Sequence, residues 1–174
     1  ELPAVLEKIA QHAVSEGAKE RIRAIRPYRY LEDIRISLAE ITDALRLMAS
    51  RSAPTFSGLA DVTVQLRRVE IGGTLGFAEL LRVAELLRCA RATAEYGDPS
   101  NRRDDLKTSL DHYFAAITTN KFLEDRITGA ILSEEEMADT ASSELASIRR
   151  QIRAANARVR DVLNRIITSQ TYSK

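Results

Sequence analysis

The run Asp139-Thr-Ala-Ser-Ser-Glu-Leu-Ala-Ser-Ile-Arg-Arg-Gln-Ile-Arg153, continued to Lys174 without a Pro or Gly, sets the architecture. Its apolar residues fall at Leu145, Ile148, Ile152, Ala155, Val159, Val162 and Ile166, alternating steps of three and four. Such a seven-residue repeat places one narrow apolar seam along a single helix. Ser142 or Ser143 is positioned to cap its start. At 1.5 Å per residue the seam runs for roughly 30 Å. A helix of this kind reads as an arm that joins two parts of a larger assembly.

Nearly every other segment also has helical periodicity. Leu2 to Ser15 puts Val5, Leu6, Ile9, Ala10 and Ala13 on one face, with Pro3 in the first turn and Gly17 as a candidate break. Ala18 to Ile25 predicts a short helix that ends before Pro27. Leu31, Ile34, Leu38, Ile41, Leu45 and Met48 again step by three and four, a second strong amphipathic helix. Ser50 to Gly58 is a loop, Leu59 to Val69 a short helix, and Gly72-Gly73 its left-handed end. Phe77 to Tyr96 is apolar on more than one face, as expected of a helix in the middle of a bundle. Gly97-Asp98-Pro99 is a turn, Asp104 to Ile117 and Lys121 to Leu132 are shorter helices, and Ser133-Glu-Glu-Glu is a cap before another turn. The predicted fold is all-α: a compact helical body over residues 1–139 and a long last helix over 140–174.

Composition narrows the function classes. The chain has 174 residues, 26 basic and 25 acidic, so no global field draws it to nucleic acid or membrane. From Ser147 onward, however, there are seven basic residues and one acidic one, Asp161. A lone Cys89, no signal peptide and no membrane-length apolar run predict a cytoplasmic protein without disulfides or a membrane partner. The absence of an initiator Met at Glu1 predicts a piece of a longer chain.

Three blocks carry a family resemblance. Asp139, Ala141, Ser142, Leu145, Ile148 and Arg149 resemble the Asp-x-Ala-Ser-x-x-Leu-x-x-Ile-Arg pattern of the second bacterial branch of the MutS superfamily. Glu70-Ile71-Gly72-Gly73, with Leu75 and Glu79-Leu80-Leu81, resembles its Glu-Ile-Gly-Gly-x-Leu-x-x-x-Glu-Leu-Leu segment. Leu6-Glu-Lys-Ile-Ala, Pro27 and Leu45-Arg-Leu form a looser third block. The resemblance implies a core and ascending lever helix that continue past Lys174 into a DNA clamp, the returning lever and an ATPase. It implies that the seam is covered by the returning lever helix and by the second subunit of a homodimer. For the parent it implies ATP and Mg, endonuclease action through a C-terminal Smr domain, binding of branched DNA with suppression of recombination, rRNA binding and ribosome rescue.

Chemistry within the chain is sparse. Gly72-Gly73-Thr-Leu-Gly76 lacks the preceding strand and following Lys of a phosphate loop, so it reads as a turn. His12 and His112 have no Glu three residues before them, Cys89 lies among apolar residues, and Glu134 to Glu136 read as a solvated helix start. No catalytic, cofactor-binding or metal-ligating set is picked out, and this chain is not expected to be an enzyme. The open choice concerns Arg149, Arg150, Arg153, Arg158, Arg160 and Arg165, which either contact phosphates or form a solvated face around the seam. Aromatics are absent from that run until Tyr172, which gives base stacking little support. Two alternatives stand beside the core-and-lever reading. One is an autonomous nucleic-acid-binding domain using the arginine-rich helix; the other is an unrelated helical dimerisation adaptor.

Overall fold

A computed structural model of the chain describes residues 1–102 and 107–168. Among these the regular elements are helices: α1 (Leu2–Ala10), α2 (Glu16–Arg23), α3 (Leu31–Arg51), α4 (Thr63–Glu70), α5 (Phe77–Gly97), α6 (Asp111–Ala115), α7 (Lys121–Ala130) and α8 (Ser143–Thr168). Single 3-10 turns at Pro99–Asn101 and Asp139–Ala141 precede α6 and α8. The all-α class and the long last helix are as expected from periodicity.

Local chemistry sets the helix ends. The Ser15 hydroxyl accepts the Ala18 N–H at 3.2 Å, so α2 begins at Glu16. Gly17 therefore sits inside the first turn of α2 rather than breaking a helix, and α1 stops earlier than predicted, at Ala10. Gly72 has φ +83°, and the Gly72 and Gly73 N–H groups donate to the Val69 and Arg68 carbonyls at 2.9 and 2.8 Å. This pairing is a Schellman cap, which closes α4 with the left-handed glycine expected there. At Gly73 an added Cβ would lie 2.6 Å from the Arg68 side chain, so that close approach also requires glycine. Ser133 to Glu136 do not start a helix. Leu132 N–H donates to the Glu136 carbonyl and Ala138 N–H to the Ala130 carbonyl, each at 2.9 Å, folding the segment back so that Ile131 and Met137 bridge. The helix predicted over 104–117 is described only as the short α6 and its lead-in, residues 104–106 lying outside the described residues.

The core centres on α5 packed against α7. Ala84, Ile127 and Ile131 are buried there, with Phe77, Leu80, Leu81, Val83 and Ala130 around them. Cys89 is buried on α5, as its apolar neighbours in sequence imply. Arg91 of α5 grips Glu124 of α7 through Nε and Nη2 at 3.0 and 2.9 Å, a two-point contact that ties the pair. α6 packs on the end of α5, where the Gly97 Cα lies so close to the Phe114 ring that a Cβ would overlap it at 1.9 Å. α1 and α2 pack on each other and are held by Arg23 on Glu7 at 2.8 and 2.9 Å.

The accessible surface is 13698 Å², whereas a compact monomer of 19.4 kDa exposes about 8,500 Å². Apolar side chains of α1, α3, α4 and α8 stand in solvent. No helix among the described residues is long and apolar enough to cross a membrane.

Candidate functional site

The root of α8 is a heavily constrained junction. Ser142 adopts extended backbone, and its hydroxyl accepts the Leu145 N–H at 3.1 Å, which makes it the cap in preference to Ser143. Further along the helix, the Arg149 Nη1 donates to the Met137 carbonyl at 2.8 Å and to the Asp139 carboxylate. Arg153 reaches the second Asp139 oxygen at 3.0 Å. These two guanidinium hydrogen bonds, Arg149 first, hold the Asp139 carboxyl below the usual carboxylate range. The 3-10 turn carrying Asp139 also packs on α7. The direction in which α8 leaves the body is thus set by a cap at one side and an arginine pair at the other.

Beyond that root the helix is bare. Every residue from Arg150 to Thr168 is exposed, whichever way it points. Along the seam, Leu145 is half-buried at the root, while Ile148, Ile152, Val159, Val162 and Ile166 are exposed, Val159 at 57%. Ala155 and the adjoining Leu163 are exposed with them. Nothing among the described residues covers the seam between Ile152 and Val162.

The six arginines divide into two groups. Arg149 and Arg153 are engaged by Asp139. Arg150, Arg158, Arg160 and Arg165 make no ion pair among the described residues; at 3.6 residues per turn Arg150 and Arg160 fall on the side of α8 away from the seam, whereas Arg158 and Arg165 flank it. Tyr172 lies outside the described residues.

The second motif block forms a different junction. Glu70 ends α4, Ile71 follows it, and Gly72 and Gly73 make the cap. Glu79 then accepts the Gly76 N–H at 3.0 Å at the start of α5 and pairs with Arg68 of α4 at 2.9 Å, so one carboxylate joins the two helices. Leu75 is half-buried, but Ile71 is 86% exposed. The glycines thus serve a helix-to-helix corner. Among the described residues no group of three or more His, Cys, Asp or Glu is placed to hold a metal ion. Two polar ties that shape the body, Arg91 with Glu124 and Arg102 with Asp111 (2.7 Å), escape sequence reasoning because neither pair is close enough in sequence to share a helix turn.

No family model matches the chain. Individual relatives do. The Endonuclease MutS2 of Acetivibrio thermocellus is 37% identical over 170 residues, which is 98% of this chain and 21% of the relative. That of Ruminiclostridium cellulolyticum is 35% identical over 178 residues, 100% of this chain and 22% of the relative. That of Lachnospira eligens is 32% identical over 168 residues, 97% and 21%. The chain therefore spans about a fifth of the length of the curated relatives it matches. The resemblance carried by the three motif blocks holds, and along nearly all of its length this chain is a relative of the MutS2 endonucleases.

Proposed function

We propose that the chain is the N-terminal core and ascending lever helix of a MutS2-type protein, with a body over residues 1–139 and a lever over 140–174. The observation that carries this reading is the contrast along α8. Its root is fixed by Ser142, Asp139, Arg149 and Arg153, and its outer residues, Arg150 to Thr168, are exposed on all sides. A helix with a rigid base and an uncovered heptad seam is suited to carry displacement to whatever pairs with the seam. Its internal hydrogen bonds resist bending, and the seam sets register against a neighbour.

In this reading the segment itself performs no catalysis. The parent hydrolyses ATP with Mg, acts as an endonuclease, forms homodimers in the cytoplasm, and engages branched DNA or the ribosome through its other parts. The corresponding roles are suppression of recombination and ribosome rescue.

The test is mechanical. A Gly-Gly-Gly insertion after Asn156 in the full-length parent interrupts the lever without touching the body. The expected result is unchanged ATP hydrolysis in the absence of DNA, with loss of the nucleotide-dependent change in DNA affinity. Full retention of that coupling would remove the lever role.

A second reading has one observation in its favour. Arg150, Arg158, Arg160 and Arg165 are exposed, without an ion pair among the described residues, and share one half of α8. Arg150 and Arg160 can neutralise phosphates while the seam is covered by protein, with Arg158 and Arg165 at its edge.

A further inference from the structure

α3 is mounted the wrong way round for a helix of a self-sufficient bundle. Glu40, Asp43, Leu47 and Arg51 share one face, and that face meets the body. The Asp43 carboxylate accepts the Ser109 N–H and hydroxyl at 2.8 and 2.9 Å, and the Tyr113 hydroxyl donates to Glu40 at 2.9 Å. Arg51 donates to the Tyr96 carbonyl at 2.7 Å, the Tyr96 hydroxyl donates to the Ser52 carbonyl at 2.9 Å, and Leu47 is buried. The apolar stripe Leu31, Ile34, Leu38, Ile41, Leu45 and Met48 lies roughly 140° around the helix from these anchors. All six stripe residues are exposed, Leu38 at 58% and Leu45 at 61%. Polar contacts hold α3 down while a continuous apolar strip about 26 Å long faces outward.

A strip of that kind marks a covered surface in the working protein. The area of the whole chain and the length of its relatives bear on what covers it. The surface beyond that of a compact monomer is about 5,000 Å², whereas one partner in a standard interface buries about 800 Å². A second copy of this segment, docked through one such interface, would leave most of the excess in water. The relatives are nearly five times as long as this chain, which leaves about four-fifths of a parent to supply the cover. We propose that the α3 stripe is the seat of an amphipathic helix from that remaining part of the same polypeptide. Its apolar positions step by three and four, so that they interdigitate with Ile34, Leu38, Ile41 and Leu45.

This assignment rests on the core-and-lever reading for the existence of the longer parent, but not on any movement of α8. The test places a photoreactive benzoylphenylalanine at Leu38 of the full-length protein, in a mixture of isotopically heavy and light chains. A second protein carries the probe at Ile152. Cross-links from Leu38 to a helix of the same polypeptide, outside the 174 residues, are expected. Heavy-to-light cross-links from Leu38 would overturn the assignment. So would an absence of protein cross-links together with α3 amides that exchange as fast in the full-length protein as in the 174-residue chain. The Ile152 probe keeps the two ideas separate: a free seam on α8 with a cross-linked α3 would remove the lever and leave the α3 seat standing.

Discussion

Arg149 stands ten residues after Asp139 and returns to it, donating to its carboxylate and to the carbonyl of Met137. The guanidinium spans two acceptors on the stretch of chain that enters α8, so the helix is tied back to its own approach. Both bonds leave one nitrogen, Nη1, at the tip of a side chain longer than lysine's, so lysine carries the charge but falls short of that position. We expect Asp139→Ala and Arg149→Ala to lower stability non-additively, with the double variant no worse than the poorer single one. Arg149→Lys should recover only part of the loss. Denaturant melts of these variants measure the coupling, and simple additivity would mean that the pair does not act as a unit.

Stability should fall at acid pH. Arg149 and Arg153 hold Asp139 low, Arg91 holds Glu124 low, and the Ser109 N–H and hydroxyl hold Asp43 low. A carboxylate depressed in the folded state contributes stability that is complete above its unfolded pKa, about 4, and is lost as pH falls through the folded value. Melting temperature should therefore hold from pH 7 to about 5 and drop below about 4. Glu124→Gln should flatten part of that drop, and an unchanged acid limb in the variant would count against the Arg91 contact.

Two glycines should be intolerant for different reasons. Gly72→Ala forces a left-handed residue with a Cβ and should cost roughly 1 kcal/mol. Gly97→Ala drives a methyl into the Phe114 ring and should cost about 1–3 kcal/mol, with repacking of α6. Ser142→Ala, which removes the cap hydroxyl, should cost about 1 kcal/mol. Equal melting midpoints for wild type and Gly97→Ala would show that α6 does not press on the end of α5.

The exposed seam makes a contrast between contexts. In the 174-residue chain, Ile152→Asp or Val159→Asp removes no buried contact, so the melting temperature should stay within error. In the full-length protein the same changes should lower it, because the seam is then covered. Equal insensitivity in both would leave the seam without a partner.

Nucleic-acid binding separates the two groups of arginines. Fluorescence anisotropy with duplex, branched and single-stranded probes, at low and near-physiological salt, should show little binding by this segment when α8 serves as a lever. Steep salt-dependent binding, weakened by Arg158→Ala and Arg165→Ala, would establish the helix as a phosphate-contacting face.

Much of the local structure is legible from residue order. The Schellman cap at Gly72-Gly73, the serine cap of α8 and the central position of α5 follow from chemistry within a few residues. The start of α2 is not legible in the same way, because Gly17 looks like a breaker until Ser15 is seen to accept the Ala18 N–H. Ser133 to Glu136 mislead because a polar run fits a helix start and a chain reversal equally well, and the Ile131–Met137 bridge distinguishes them. The motif positions Asp139 and Arg149 are visible as residue types, but their contact depends on the 3-10 turn that aims one at the other.

Residue order alone settles the helical class, the seam on α8, the stripe on α3 and the kinship with MutS2, since periodicity and motif order are properties of neighbouring residues. Where those faces point is a matter of how the chain packs. An amphipathic pattern states which residues share a side of a helix; it does not state whether that side is turned inward. On α3 the ties from Glu40, Asp43 and Arg51 turn it outward, and on α8 the anchor at Asp139 carries the seam clear of the body. Both outcomes depend on hydrogen bonds between segments distant in sequence or separated by a turn, which is why no reading of one segment alone could supply them.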